Sequence, residues 1–230
     1  PRNVVYDSGE MKIVDYFGKG ATLEDKGRSV FTIYGTDHNF LQEAFYLLVL
    51  SMFGQYCDRS GMLRVHAMAV SYRDRAFLMP VPPGGGKSTM AFAILEEEGF
   101  KLISDDEPIV SSSGEILPFA LRIGTLDAAK IDRIPPQFVY NINRMEFGPK
   151  FFIDALYWED RLEKRALQDV IYLSATRVLN GTSSITAVPK YRALKSLVRD
   201  AIIGVGLYQG LEFMLGHSAW STLSQAGTVL

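Results

Sequence analysis

Three consecutive glycines, Gly84-Gly85-Gly86, constrain this chain more than any other stretch. Such a run is costly inside a helix or strand and marks a place where the backbone must curl. It follows the apolar run 76–80 and Pro82-Pro83, and leads through Lys87-Ser88-Thr89 into Met90, Ala93 and Ile94 at helical spacing. That helix runs into Glu96-Glu97-Glu98 and stops at Gly99. A strand, a glycine loop and a helix in this order predict a cradle for a polyphosphate. The glycines let successive N–H groups converge, the helix N-terminus adds partial positive charge, Lys87 brings an ammonium to the terminal phosphates, and the Ser88 hydroxyl is placed for magnesium. Gly84, Gly85, Gly86, Lys87, Ser88 and Thr89 are therefore the candidate nucleotide-binding residues, with ATP and Mg2+ as the expected cofactors.

The match to G-x-x-x-x-G-K-[ST] is incomplete, because Val81 stands where the first glycine belongs. Pro82 and Pro83 have no N–H to donate, so the donors must begin at Gly84. A Pro/Gly turn that simply caps a helix is the alternative for this segment.

Two acids follow at an informative distance. Asp105 and Asp106 come eighteen residues after Lys87, room for one helix, a turn and a strand returning beside the first. Carboxylates brought back to a phosphate loop can hold magnesium or accept a proton from an attacking hydroxyl, and two adjacent ones repel, which raises one pKa. A solvated acidic turn, Asp105-Asp106-Glu107-Pro108, is the competing reading. His66 precedes Lys87 by twenty-one residues within a strand-like run. It is either structural or held by a carboxylate for proton transfer. His38 and His217 have no spaced partner.

Around this centre, short apolar runs in 1–36, separated by Gly, Asp and Lys clusters, predict small strands. Asp37 or Asn39 caps a helix that continues to Gly54, and 57–61 reads as a connector. The segment 40–56 is interrupted by Gln42, Glu43 and Gln55 and is expected to be a buried helix, not a membrane span. Runs 63–72 and 76–80 about Arg73-Asp74-Arg75 predict a hairpin, and 109–111 with 115–119 a second. Strand-like 169–174 comes next, then helical 193–203 and 207–215. The expected fold class is α/β, a phosphate-loop-containing mixed β-sheet flanked by helices. The expected division is 1–62, strands and a buried helix packed on the core, and 63–230, the catalytic core, in one compact whole.

Composition narrows the functional classes. With 24 basic against 26 acidic residues, the chain lacks the positive excess of a dedicated nucleic-acid binder. One cysteine, Cys57, excludes an internal disulfide framework and fits a reducing, cytoplasmic setting. No basic segment precedes an apolar one at the start, so no signal peptide is visible; the first residue is Pro1 and the end is apolar, as expected for a piece of a longer chain.

Val65-His66-Ala67, the loop 84–89, and Gly99-Phe100-Lys101-Leu102-Ile103-Ser104-Asp105-Asp106 together resemble the catalytic core of bacterial HPr kinase/phosphorylase, over roughly residues 63–119. The resemblance implies a fold shared more distantly with phosphoenolpyruvate carboxykinase. It also implies that Lys87 contacts the ATP phosphates, that Ser88 and Asp105 hold the metal, and that the Asp pair, Asp106 foremost, receives the proton with His66 in support. The family's downstream glycine-rich signature, with a metal-binding glutamate and an arginine near the phosphoryl group, is not found here; Arg122 is the candidate replacement cation. Segments for docking HPr are also missing, and the chain looks more like the divergent kinases encoded beside peptide-modification systems, including those acting on lasso-peptide precursors. The implied activity is transfer of the terminal phosphoryl group of ATP to a serine or similar hydroxyl of a protein or peptide acceptor, such as a ribosomal peptide precursor. A nucleotide-binding regulatory or scaffold module without transfer is the rival. The related family forms hexamers, and Phe151, Phe152 and Tyr157 suit an interface of a homo-oligomer as well as a core.

Overall fold

A computed structural model describes residues 4–81, 85–144, 148–175, 182 and 184–202. The chain is mixed α/β, with several small sheets and few helices, and it divides into two compact units. One is built on the chain up to Gly61 together with Asn141–Lys150, the other on Met62–Tyr140 with Phe151–Ile202.

In the first unit, four strands alternate buried and exposed residues and pair as an antiparallel meander: β1 (Val4–Asp7), β2 (Met11–Asp15), β3 (Gly20–Asp25) and β4 (Val30–Gly35). Helix α1 (His38–Arg59) comes after them, and Asp37 caps it by accepting from the Asn39 N–H. Phe40, Ala44 and Leu48 form a core with Val14 and Tyr16. Two expectations are corrected here. The helix runs through the presumed connector to Arg59. It is also not buried all round, since Phe45, Val49, Met52 and Tyr56 are exposed on it. Among the described residues no helix is long and apolar enough to cross a membrane.

The second unit opens with β5 (Leu63–Val65), β6 (Ala67–Tyr72) and β7 (Arg75–Pro80), so the single strand expected over 63–72 is broken at His66. Helix α2 (Lys87–Glu96) and β8 (Phe100–Ser104) come next, then β9 (Ile109–Val110), β10 (Ile116–Leu117), β11 (Arg122–Thr125), β14 (Asp169–Tyr172), α3 (Lys190–Asp200) and β15 (Ala201–Ile202), while β12 (Val139–Arg144) and β13 (Gly148–Asp154) are each divided between the two units. The central sheet has the order β14-β7-β6-β8; the others are β10-β9-β5-β15 and β11-β13-β12. The second predicted hairpin is β9 and β10, while 207–215 lies outside the described residues.

The central sheet is mixed: β14 runs parallel to β7, and β6 is antiparallel to both β7 and β8. Strand β8 thus returns beside β6, with β6 between it and β7, where direct adjacency to the loop strand was expected. Side chains of β6 alternate between two cores. Met68 and Val70 join Ala91, Leu95 and Leu102 on one side. Ala67 and Ala69 join Val65, Ile103 and Ile116 on the other. Helix α2 therefore covers one face and residues of β5 and β10 pack on the second, where flanking helices were expected; Leu197 of α3 adds to that second face.

Candidate functional site

The site is a consequence of strand direction. Because β7 and β8 are each antiparallel to β6, they are parallel to one another, and both end where β6 begins. Three sequence-distant points therefore meet at one end of the sheet: the glycine loop after β7, Asp105 and Asp106 after β8, and His66 before β6. A bulge contributes. Ala69 pairs with Ser104 but Val70 with Leu102, which leaves Ile103 as an extra residue on β8 just ahead of the acids. Bulges bend a strand and re-aim the residues beyond it.

At that end the Lys87 Nζ lies 2.6 Å from His66 Nε2 and 3.1 Å from Asp106 Oδ1. Asp106 Oδ1 is 3.4 Å from His66 Nδ1. An ammonium can only donate, so Nε2 accepts and the ring proton sits on Nδ1, facing the Asp106 carboxylate. The three side chains grade from inside to outside: Lys87 is 12% exposed, His66 24% and Asp106 47%. The carboxylate is thus the member of the three most accessible to solvent.

The loop itself is described from Gly85 onward; Gly84 lies outside the described residues. Gly86 caps α2 at φ 100°, in the left-handed region, with no side-chain cap. The first helical amide bonded back is Met90 N–H, to Gly86 O at 2.9 Å, and the preceding first-turn amides of a helix have no intrahelical acceptor. Among the described residues, a Cβ built at Gly86 would meet nothing within 4 Å. Ser88 is half-buried in the first turn and Thr89 is exposed. These features fit a phosphate group: first-turn amides without an intrahelical acceptor, an ammonium, and, among the described residues, no side chain against Gly86. For magnesium, Ser88 and Asp105 are both half-buried and both carry oxygen donors of the kind this ion takes, which in such sites is completed by phosphate oxygens. Among the described residues no group of three or more His, Cys, Asp or Glu would hold a metal by itself.

Arg122, the replacement cation suggested by sequence, has its guanidinium 3.8 Å over the Phe152 ring. Two charged residues that the sequence did not mark as functional sit beside the site. Arg64, on β5, places Nη1 3.6 Å from Glu107 Oε2; the arginine side chain is buried and the glutamate mostly so. Burial pushes the Glu107 carboxyl above its ordinary range; Arg64 opposes the rise, Asp106 adds to it and Lys87 opposes it. One signal was available: an arginine inside an otherwise apolar strand run, two residues before His66. Its partner was hidden in what reads as an acidic turn.

No protein-family model matches the chain. Among curated proteins, it is similar to the Holliday junction branch migration complex subunit RuvB of Lactobacillus johnsonii and of Lactobacillus gasseri. Each is 32% identical over 90 residues, or 38% of this chain and 26% of the relative. The chain thus spans about a quarter of the length of these relatives.

Proposed function

We propose that this protein binds ATP at the loop 84–89 and transfers the terminal phosphoryl group to a hydroxyl, serine or similar, on a protein or peptide. The observation that supports this best is the convergence of Lys87, His66 and Asp106 at the mouth of the glycine loop. The coarser part, nucleotide binding at a phosphate loop, also accords with the partial similarity to RuvB. Junction branch migration is not carried over, since the chain has no basic excess for DNA. The finer part rests on the resemblance to HPr kinase/phosphorylase and on the carboxylate beside the lysine.

The chain's own residues divide the work by position. Amides of Gly85, Gly86 and the first turn of α2 orient the phosphates, and Lys87 shifts its ammonium from Asp106 toward them. Ser88 and Asp105 are the residues for magnesium, which supplies neutralisation of phosphate charge when bound. Asp106, released from Lys87, accepts the proton of the acceptor hydroxyl as its oxygen bonds to phosphorus. The bond from phosphorus to the bridging oxygen breaks and the diphosphate leaves. His66 keeps Asp106 aimed through its Nδ1 proton.

The rival, a nucleotide-binding module without transfer, is favoured by the missing downstream signature. One experiment separates them: the full chain with labelled ATP, Mg2+ and candidate precursor peptides, read by mass spectrometry and calorimetry. Asp106→Asn is expected to keep ATP binding and lose transfer by about 100-fold or more, and Lys87→Ala to lose both. Wild-type protein that binds ATP but adds no phosphate to any acceptor would favour the rival. Transfer by Lys87→Ala at the wild-type rate would remove the assignment altogether.

A further inference from the structure

Helix α1 is apolar on two opposite sides. One side belongs to the fold: Phe40, Ala44 and Leu48 are buried in a core with Val14 and Tyr16. The other carries Phe45, Val49, Met52 and Tyr56, which are 62%, 46%, 46% and 60% exposed. A surface helix turns polar residues outward, and apolar residues all round mark a helix that is covered on every side. The four recur turn after turn along α1, so they form one patch and not scattered surface residues. Tyr56 is ordered within it, its ring stacked on Phe53 of the same helix with centroids 6.3 Å apart.

What fits the patch follows from its spacing. Gln42, Phe45, Val49, Met52, Tyr56 and Arg59, all exposed, succeed one another by three, four, three, four and three residues. This is the alternation of a and d positions along a two-helix seam. By chemistry the six are polar, aromatic, aliphatic, aliphatic, aromatic and polar, an order that is the same from either end. A twofold interface needs this property, because residue i of one copy meets j of the other and j meets i. With two copies of α1 antiparallel, Val49 lies opposite Met52, Phe45 opposite Tyr56 and Gln42 opposite Arg59, each layer joining an a position to a d position. Arg59 then lands on the turn of the second copy that carries Gln42 and Glu43, a cation beside an amide and a carboxylate.

The area suits a weak dimer. The four apolar residues leave about 400 Å² exposed on each copy. With Gln42 and Arg59 added, two copies together cover about 1,000 Å², the least that a specific interface needs. The helix does not depend on the seam to form, since its inner side is already packed against the β-meander.

We infer that this protein pairs with a second copy of itself through α1, in an antiparallel seam centred between Val49 and Met52. The inference stands apart from the nucleotide reading.

The test begins with sedimentation of the full chain from about 1 to about 100 µM, which is expected to show a reversible monomer–dimer equilibrium, as befits so small an interface. Val49→Glu places a charge in the central layer and is expected to raise the Kd of the dimer about tenfold or more. Its thermal unfolding is expected to stay near that of wild type, because the side chain faces solvent in the monomer. Cysteines read the register, and Cys57 is buried and shielded from the reaction. Oxidation of Phe45→Cys mixed with Tyr56→Cys is expected to link the two chains. Either variant alone is not expected to link, because the antiparallel seam holds the two copies of residue 45 about 16 Å apart along the helix. A wild-type chain that stays monomeric throughout overturns the inference and leaves the face to another segment of this chain or to another protein. A dimer that folded Val49→Glu does not weaken overturns it too, as does linkage of Phe45→Cys to itself, the mark of a parallel pairing. If Val49→Glu fails to fold, the cysteines decide: linkage confined to the mixture supports the seam, and no linkage in the mixture overturns it.

Discussion

Two glutamates with little exposure, Glu163 and Glu107, show how differently one residue type behaves when its donors differ. Glu163 is buried, and burial alone would raise its carboxyl. Hydrogen bonds outweigh this: Arg165 Nε and the N–H groups of Lys164 and Arg165 donate to Oε1, and Ser71 Oγ donates to Oε2 at 2.9 Å, so the carboxyl is held below its ordinary range. Glu107 has one guanidinium at 3.6 Å and is pushed up instead. A depressed native pKa contributes stability that is fully present above the unfolded value, about 4.3, and is lost as pH falls through the native one. Glu163→Gln removes the charge but keeps the shape. It is therefore expected to cost about 1–3 kcal/mol at pH 7 and progressively less below pH 4. Urea unfolding of both proteins across that range checks this, and a cost that does not shrink in acid would refute it. At this scale the sequence was legible where chemistry is local, as in Lys87-Ser88 after glycines, and opaque where partners are distant. Nothing in the sequence pairs Ser71 with Glu163, 92 residues on, or Arg64 with Glu107.

Elements decide whether those residues can meet. Helix α2 presents Lys87 only if its far side is anchored, and the anchor is Ala91 and Leu95 packed with Met68, Val70 and Leu102 of the sheet. The helix ends at Glu96, short of the expected stop at Gly99; Gly99 lies in the turn to β8 at φ 81°, where a Cβ would stand 2.9 Å from the Tyr72 ring. Leu95→Ala is expected to destabilise the protein by about 2–5 kcal/mol through lost burial and a cavity, with the urea m-value unchanged. A cost below about 1 kcal/mol would mean that α2 does not depend on this contact. The helix and the β6–β7 hairpin were readable because apolar spacing, Arg73-Asp74-Arg75 and Gly99 are all local signals. The break at His66, the bulge at Ile103 and the placement of β8 beside β6 were not, since pairing order is set by contacts across the sheet. Helix α1 misled for another reason. Phe45, Val49, Met52 and Tyr56 are apolar yet exposed, so a run that reads as buried all round packs on one side only.

For the whole molecule, the division into two units means that the nucleotide should leave a local mark. All the candidate residues that the structure describes belong to the unit built on Met62–Tyr140 and Phe151–Ile202. Ligand that binds only the folded form stabilises what it touches by mass action, about 2.7 kcal/mol at a hundredfold excess over Kd. Amide exchange reads that stabilisation segment by segment, because protection tracks the free energy of local opening. Saturating ATP and Mg2+ are expected to slow exchange at 85–90, where first-turn amides meet phosphate, and at 104–108, where the acid corner is tied to β5 and His66. Strands β1 to β4 and α1 are expected to exchange unchanged. Protection confined to that β-meander, with none at the glycine loop, would place the nucleotide elsewhere, and the Lys87 cluster would then be an ion network of the fold and not a site of chemistry.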